Sequence, residues 1–134
     1  MHPAPLHNDM AKAPAYGQGH WVTGPDGTRI RIGVWAKGTK GTVLIFPGRT
    51  EYIEKYGMAV AEFAERGYAC VVVDWRGQGL SDRLIGDRTA GHVVDFKDYQ
   101  LDIQAVSSAV ETLGLPQPLF LVCLLYTSPS PRDA

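Results

Sequence analysis

Gly41-Thr42-Val43-Leu44-Ile45-Phe46-Pro47-Gly48-Arg49-Thr50 is the stretch that most restricts the fold. Val43 to Phe46 is an unbroken apolar row that stops at a Pro-Gly turn. A run of this length, bounded by glycines, reads as a strand buried on both faces. The pattern recurs at Ala69-Cys70-Val71-Val72-Val73-Asp74 and begins again at Pro118-Leu119-Phe120-Leu121-Val122. Helix-length segments separate the three runs. Buried strands spaced in this way predict βαβ crossovers and a parallel sheet. In such sheets ligands bind at the carboxyl ends of the strands. Residues 47–51 are therefore the first place to look for chemistry.

The segments around these strands follow. Residues 1–18 are Pro- and Ala-rich and predict an extended arm, with His2 and His7 as solvated loop residues. Thr28, Ile30, Ile32 and Val34 alternate with Arg29, Arg31 and Gly33, and Gly24-Pro25-Asp26-Gly27 is a tight-turn signal. This predicts an antiparallel hairpin over residues 19–35 with one wet face. Glu51 to Arg66 predicts a helix, with Thr50 as N-cap or a start nearer Ile53, and Tyr56, Val60 and Phe63 on one face. Gly57 inside it costs about 1 kcal/mol relative to Ala; either it permits close packing on the sheet or the helix simply tolerates it. Residues 75–94 predict a loop. The last helix carries Phe96, Tyr99, Ile103, Val106, Val110 and Leu113 at spacings of three and four. Asp95 is its expected cap, and Gly114, Pro116 and Pro118 stop it.

Composition bounds the function. With 134 residues one domain is expected, and 45% apolar with 20% charged residues fits a soluble globular chain. A net charge of −1 gives no reason to expect nucleic acid as a partner. No apolar core of a signal peptide precedes the fold, so a cytoplasmic location is expected. Cys70 and Cys123 form no metal-ligand or disulfide pattern, and no metal or organic cofactor is expected.

Two near-motifs deserve separation from real ones. Gly77-Gln78-Gly79 opens a dinucleotide fingerprint but Asp82 stands where its third glycine belongs. Gly79-Leu80-Ser81-Asp82-Arg83 resembles a nucleophile elbow but lacks the second glycine and the strand–turn–helix context. Asp74, Arg76 and Ser81 are therefore expected to hold structure rather than to catalyse.

Phe46-Pro47-Gly48-Arg49-Thr50-Glu51, Asp74-Trp75-Arg76-Gly77-Gln78-Gly79-Leu80-Ser81 and His92-Val93-Val94-Asp95-Phe96-Lys97-Asp98-Tyr99 together resemble the α/β-hydrolase superfamily. The nearest branch is the lysophospholipases and monoacylglycerol lipases, grouped with serine aminopeptidases. The resemblance covers residues 19–122 and implies the N-terminal half of an α/β-hydrolase fold. It implies a serine hydrolase of carboxylic esters, acting on a small-molecule or lipid ester with transient contact to membrane lipid. By resemblance the Arg49 N–H is one oxyanion-hole donor, Gly48 makes the turn, and Thr50 and Glu51 contact substrate. Relatives carry His-Gly where this chain has Pro47-Gly48, so the imidazole is missing while the backbone donor stays. A non-catalytic ligand-binding α/β domain and an aminopeptidase of the same fold are the alternatives.

The family's G-x-S-x-G is expected directly after the strand at 119–122 and is not there. Cys123 to Asp133 instead resembles the one-frame translation of a transposase-type sequencing adapter. Residues 123–134 are thus expected to be non-native, with Ser128 and Ser130 outside any motif. The expectation for the chain as given is a fragment without its catalytic triad: inactive, and poorly soluble because a hydrophobic strand edge is unpaired.

Overall fold

Val43 and Ile45 point to one side of a sheet, and Leu44 and Phe46 to the other. That alternation is the period of a strand, and it organises the computed structural model, which describes residues 1–48, 51–82 and 96–124. The strands are β1 (His2–Ala4), β2 (Gln18–Thr23), β3 (Arg29–Trp35), β4 (Thr42–Phe46), β5 (Ala69–Val73) and β6 (Leu119–Cys123). The helices are α1 (Asn8–Ala11), α2 (Gly57–Glu65) and α3 (Phe96–Leu113). The sheet order is β1-β2-β3-β5-β4-β6. β4 pairs in parallel with both β5 and β6, as the three apolar runs predict. The β2–β3 hairpin joins antiparallel, with Ile32 opposite Val73. The result is a mixed sheet of the α/β class.

Two cores lie on its faces. On one, Ile30, Ile32, Leu44, Phe46, Val71, Val73 and Trp75 meet Val106 and Val110 of α3. On the other, Trp35, Val43, Ile45, Val72 and Cys70 meet Ile53 and Val60, with Tyr56 and Phe63 packed alongside. Burial drives the Cys70 thiol up to about 12, so it behaves as a small apolar side chain.

Four expectations change. The N-terminal arm is an edge strand and a turn of helix: β1 pairs with β2, and Trp35 Nε1–H donates to the Pro14 carbonyl at 3.1 Å. A Pro-rich segment has no periodicity to reveal such docking. β3 is exposed only at its first residue, Arg29, and Arg31 on the expected wet face is only 1% exposed. The helix begins at Ile53, the later of the two expected starts, but as a 3-10 turn, Ile53–Tyr56, that becomes α-helical only at Gly57. β6 is the hydrophobic sheet edge expected for the chain as given, with Leu121 68% exposed. On α3, Ile103 faces outward and Asp102 inward. The caps proposed at Thr50 and Asp95 lie outside the described residues, as do residues 125–134.

Gly57 packs on the arm rather than on the sheet. A Cβ there would run into the Ala11 carbonyl. Gly57→Ala should therefore lower stability by about 1–3 kcal/mol, the usual cost of overpacking. The gain in helix propensity of about 1 kcal/mol is too small to offset it. A lower urea midpoint at unchanged slope is the expected result, and a higher midpoint would show that the arm yields freely.

Candidate active site

The carboxyl ends of β4, β5 and β6 meet at Pro47-Gly48. Phe46 lies opposite Cys123, and the Leu124 N–H donates to the Phe46 carbonyl at 2.8 Å. Whatever follows β6 therefore starts beside the turn. The Pro47 carbonyl accepts the Trp75 indole N–H at 2.8 Å. Trp75 is held in turn by two rings, Phe46 at 5.3 Å and Tyr99 at 4.7 Å between centroids.

Glu51 closes the turn from the other end. Its Oε1 accepts the Gly48 N–H at 2.7 Å and the Tyr56 hydroxyl. Its Oε2 accepts Lys55 Nζ at 2.8 Å, and its own N–H donates to Gln78 Oε1 at 3.3 Å. Lys55 and then Tyr56 hold the Glu51 carboxyl below its ordinary value. Burial, with the Glu51 carboxylate, pushes the Tyr56 phenol up to about 12. Glu51, expected at the substrate, thus has its carboxylate on the turn itself. The reason is local, since Gly48, Lys55 and Tyr56 all lie within five residues of it. Arg49 and Thr50 lie outside the described residues, as does His92.

Beneath the turn is a buried polar network. Asp74 Oδ1 accepts the Ile53 N–H at 2.9 Å, and its Oδ2 accepts the Leu80 N–H at 3.0 Å and Arg31 Nε at 2.8 Å. Arg31 also forks onto Glu54 at 2.7 and 2.8 Å and reaches the Pro5 carbonyl at 3.0 Å. Burial pushes the Asp74 carboxyl up, against the pull of Arg31. Gly79 fits here because of its bare Cα: at φ +52° a Cβ would overlap the Asp74 carboxylate. The Ser81 hydroxyl donates to the Asp74 carbonyl at 2.7 Å and accepts the Arg31 N–H at 2.8 Å. That hydroxyl is 50 residues from Arg31 in sequence yet fixed on β3, and it ties strand to loop.

A second network flanks the first. Arg76, 1% exposed, meets Asp102 of α3 through Nε at 3.0 Å and Nη2 at 2.9 Å, and Asp26 of the hairpin turn through Nη1 at 2.8 Å. Its guanidinium holds the Asp26 carboxyl down to about 2. Asp102 escaped sequence reasoning because it interrupts an apolar stripe. The signal that could have found it is its place between Tyr99 and Val106 on the inward face. Among the described residues no cluster of His, Cys, Asp and Glu could hold a metal ion, and no helix is long and apolar enough to cross a membrane.

The arrangement is a strand-end turn, tied at the Pro47 carbonyl and the Gly48 N–H and carried on two buried ion networks. Lysophospholipase L2 of Escherichia coli K12 is 41% identical over 63 residues, 47% of this chain and 18% of that protein. The chain thus spans about a fifth of the length of that curated relative. Among solved structures, the esterase Pf2001 of Pyrococcus furiosus superposes with a TM-score of 0.66 at 16% identity, covering 92% of this chain and 48% of its own. The esterase EaEST of Exiguobacterium antarcticum gives 0.58 at 24% identity, over 75% and 33%. These two likenesses establish an α/β-hydrolase fold. The family model described as serine aminopeptidase, S33, matches residues 37–124, from the loop before β4 to the residue just past β6, and the chain belongs to that family.

Proposed function

We propose that the full-length protein carrying this stretch is a serine hydrolase of carboxylic esters, with lysophospholipids or monoacylglycerols as its substrates. The observation that carries the reading is the parallel register of β4 with β6, Ile45 opposite Val122. In an α/β-hydrolase the nucleophilic serine stands just past such a strand, and one oxyanion donor comes from the loop after the strand corresponding to β4. The 41% identity to lysophospholipase L2 over 63 residues points the same way.

In this mechanism the serine attacks the ester carbonyl while a histidine takes its proton. The Arg49 N–H and the N–H after the serine stabilise the oxyanion. Alcohol leaves, and water then deacylates the enzyme. Serine, histidine and acid all belong to the full-length protein, so the 134-residue chain itself turns over no ester.

The test is to read the source gene past codon 122 and assay the protein it encodes. G-x-S-x-G within a few codons is expected, with lysophospholipid hydrolysis falling at least ~10³-fold when that serine becomes alanine. Cleavage of aminoacyl amides in place of esters would move the reading to the aminopeptidases. Ester turnover by the 134-residue chain that Ser81→Ala abolishes would overturn it.

A further inference from the structure

We infer that Glu51 is a positioning residue: with Trp75, it pins the peptide unit between Pro47 and Gly48, the plate from which the turn's proposed oxyanion donor follows. This deepens the proposed function and rests on it.

The argument is geometric. A peptide unit is planar, so its C=O and N–H move as one rigid plate. Trp75 Nε1 holds the Pro47 carbonyl edge of this plate at 2.8 Å, and Glu51 Oε1 holds its Gly48 N–H edge at 2.7 Å. With both polar edges fixed, the orientation of the following N–H depends only on φ and ψ of Gly48. Left unpinned, the plate would add its own rotation to those two, and a glycine restricts neither. The Trp75 end is rigid, because Trp75 is 2% exposed and packed against Phe46 and Tyr99.

The Glu51 end is rigid for a different reason. Tyr56 donates to the same Oε1, Lys55 donates to Oε2, and the Glu51 backbone is tied to Gln78. A carboxylate aimed at substrate would instead present an oxygen to the open end of the turn. An oxyanion donor acts at full strength only when it is preset, because it then costs no reorganisation during the reaction. A misplacement of about 1 Å can cost on the order of 10²-fold.

The experiment compares Glu51→Ala, Glu51→Gln and Tyr56→Phe in the full-length protein on a lysophospholipid. Rates are taken per active site, counted by stoichiometric labelling with a fluorophosphonate. Glu51→Ala should lower kcat roughly 10- to 100-fold with KM changed less than about threefold. Glu51→Gln keeps an acceptor for the Gly48 N–H and should recover part of that loss, and Tyr56→Phe should cost about 2- to 5-fold. A kcat within twofold of wild type in Glu51→Ala overturns the inference. So does a loss confined to KM, which would make Glu51 a substrate contact, or a loss confined to the number of labelled sites, which would make it a stability residue. If Glu51→Ala does not fold, Glu51→Gln and Tyr56→Phe carry the same comparison. A wild-type protein without ester turnover removes the proposed function together with the inference. An active wild type with an unimpaired Glu51→Ala removes the inference alone.

Discussion

Asp74→Ala should lower stability by roughly 3–5 kcal/mol, the cost of breaking a buried ion pair from one side. The carboxylate is fully buried and accepts from Arg31, Ile53 and Leu80. Its loss strands two backbone N–H groups and leaves the Arg31 guanidinium, 1% exposed, to Glu54 and the Pro5 carbonyl alone. Each stranded donor carries its own desolvation cost of about 1–3 kcal/mol. Asp74→Asn is nearly isosteric and keeps one acceptor oxygen. Its amide must still point an NH₂ at an N–H donor, so an intermediate loss of about 2–3 kcal/mol is expected. Urea unfolding followed by tryptophan fluorescence reads both. A loss under 1 kcal/mol for Asp74→Ala would mean that water replaces the carboxylate and that the network is not the hub of the fold. The same three donors come from β3, the 3-10 turn and the loop after β5. Asp74→Ala should therefore also loosen the frame around Gly48.

That hub explains what could be read from the sequence. β4, β5 and β6 were legible because each is a short apolar run closed by turn residues, and α3 was legible from its spacing. Asp74 was legible as a structural carboxylate because it ends a strand before two glycines. Arg31 was not: a charge alternating with isoleucines looks solvated, and its partners lie 43 and 23 residues away. Only the sheet order, which puts β3 beside β5, brings Arg31 and Asp74 together. The burial of β3 follows from the same order, as a charge inside the sheet must be paired to stay there. The arm was missed for a related reason. Its holding contacts are backbone and aromatic, Pro5 and Pro14 carbonyls among them, and leave no trace in composition. Glu51 could have been read more closely, because a glutamate followed by Lys at i+4 and Tyr at i+5 carries its own partners.

Arg76→Leu should cost about 3–5 kcal/mol, because it leaves Asp102, 1% exposed, as an uncompensated buried charge. Arg76→Lys should recover little. An ammonium is a point charge and cannot fork between Asp102 on α3 and Asp26 on the hairpin turn. The two carboxylates differ in acid. Asp26 has its folded value depressed from 3.8 to about 2 by Arg76. Its share of stability is thus fully present above 3.8 and is lost as pH falls through about 2. Burial pushes the Asp102 carboxyl up, which gives the opposite slope. The wild-type curve mixes the two, so the informative quantity is wild type minus Asp26→Asn. That difference should shrink between pH 4 and 2 by on the order of 1 kcal/mol once solvent screening at the partly exposed Asp26 is counted. A difference flat across that window would show that Arg76 spends its charge on Asp102 alone. The hairpin would then be held to α3 by its apolar contacts, with the ion pair adding orientation and no strength.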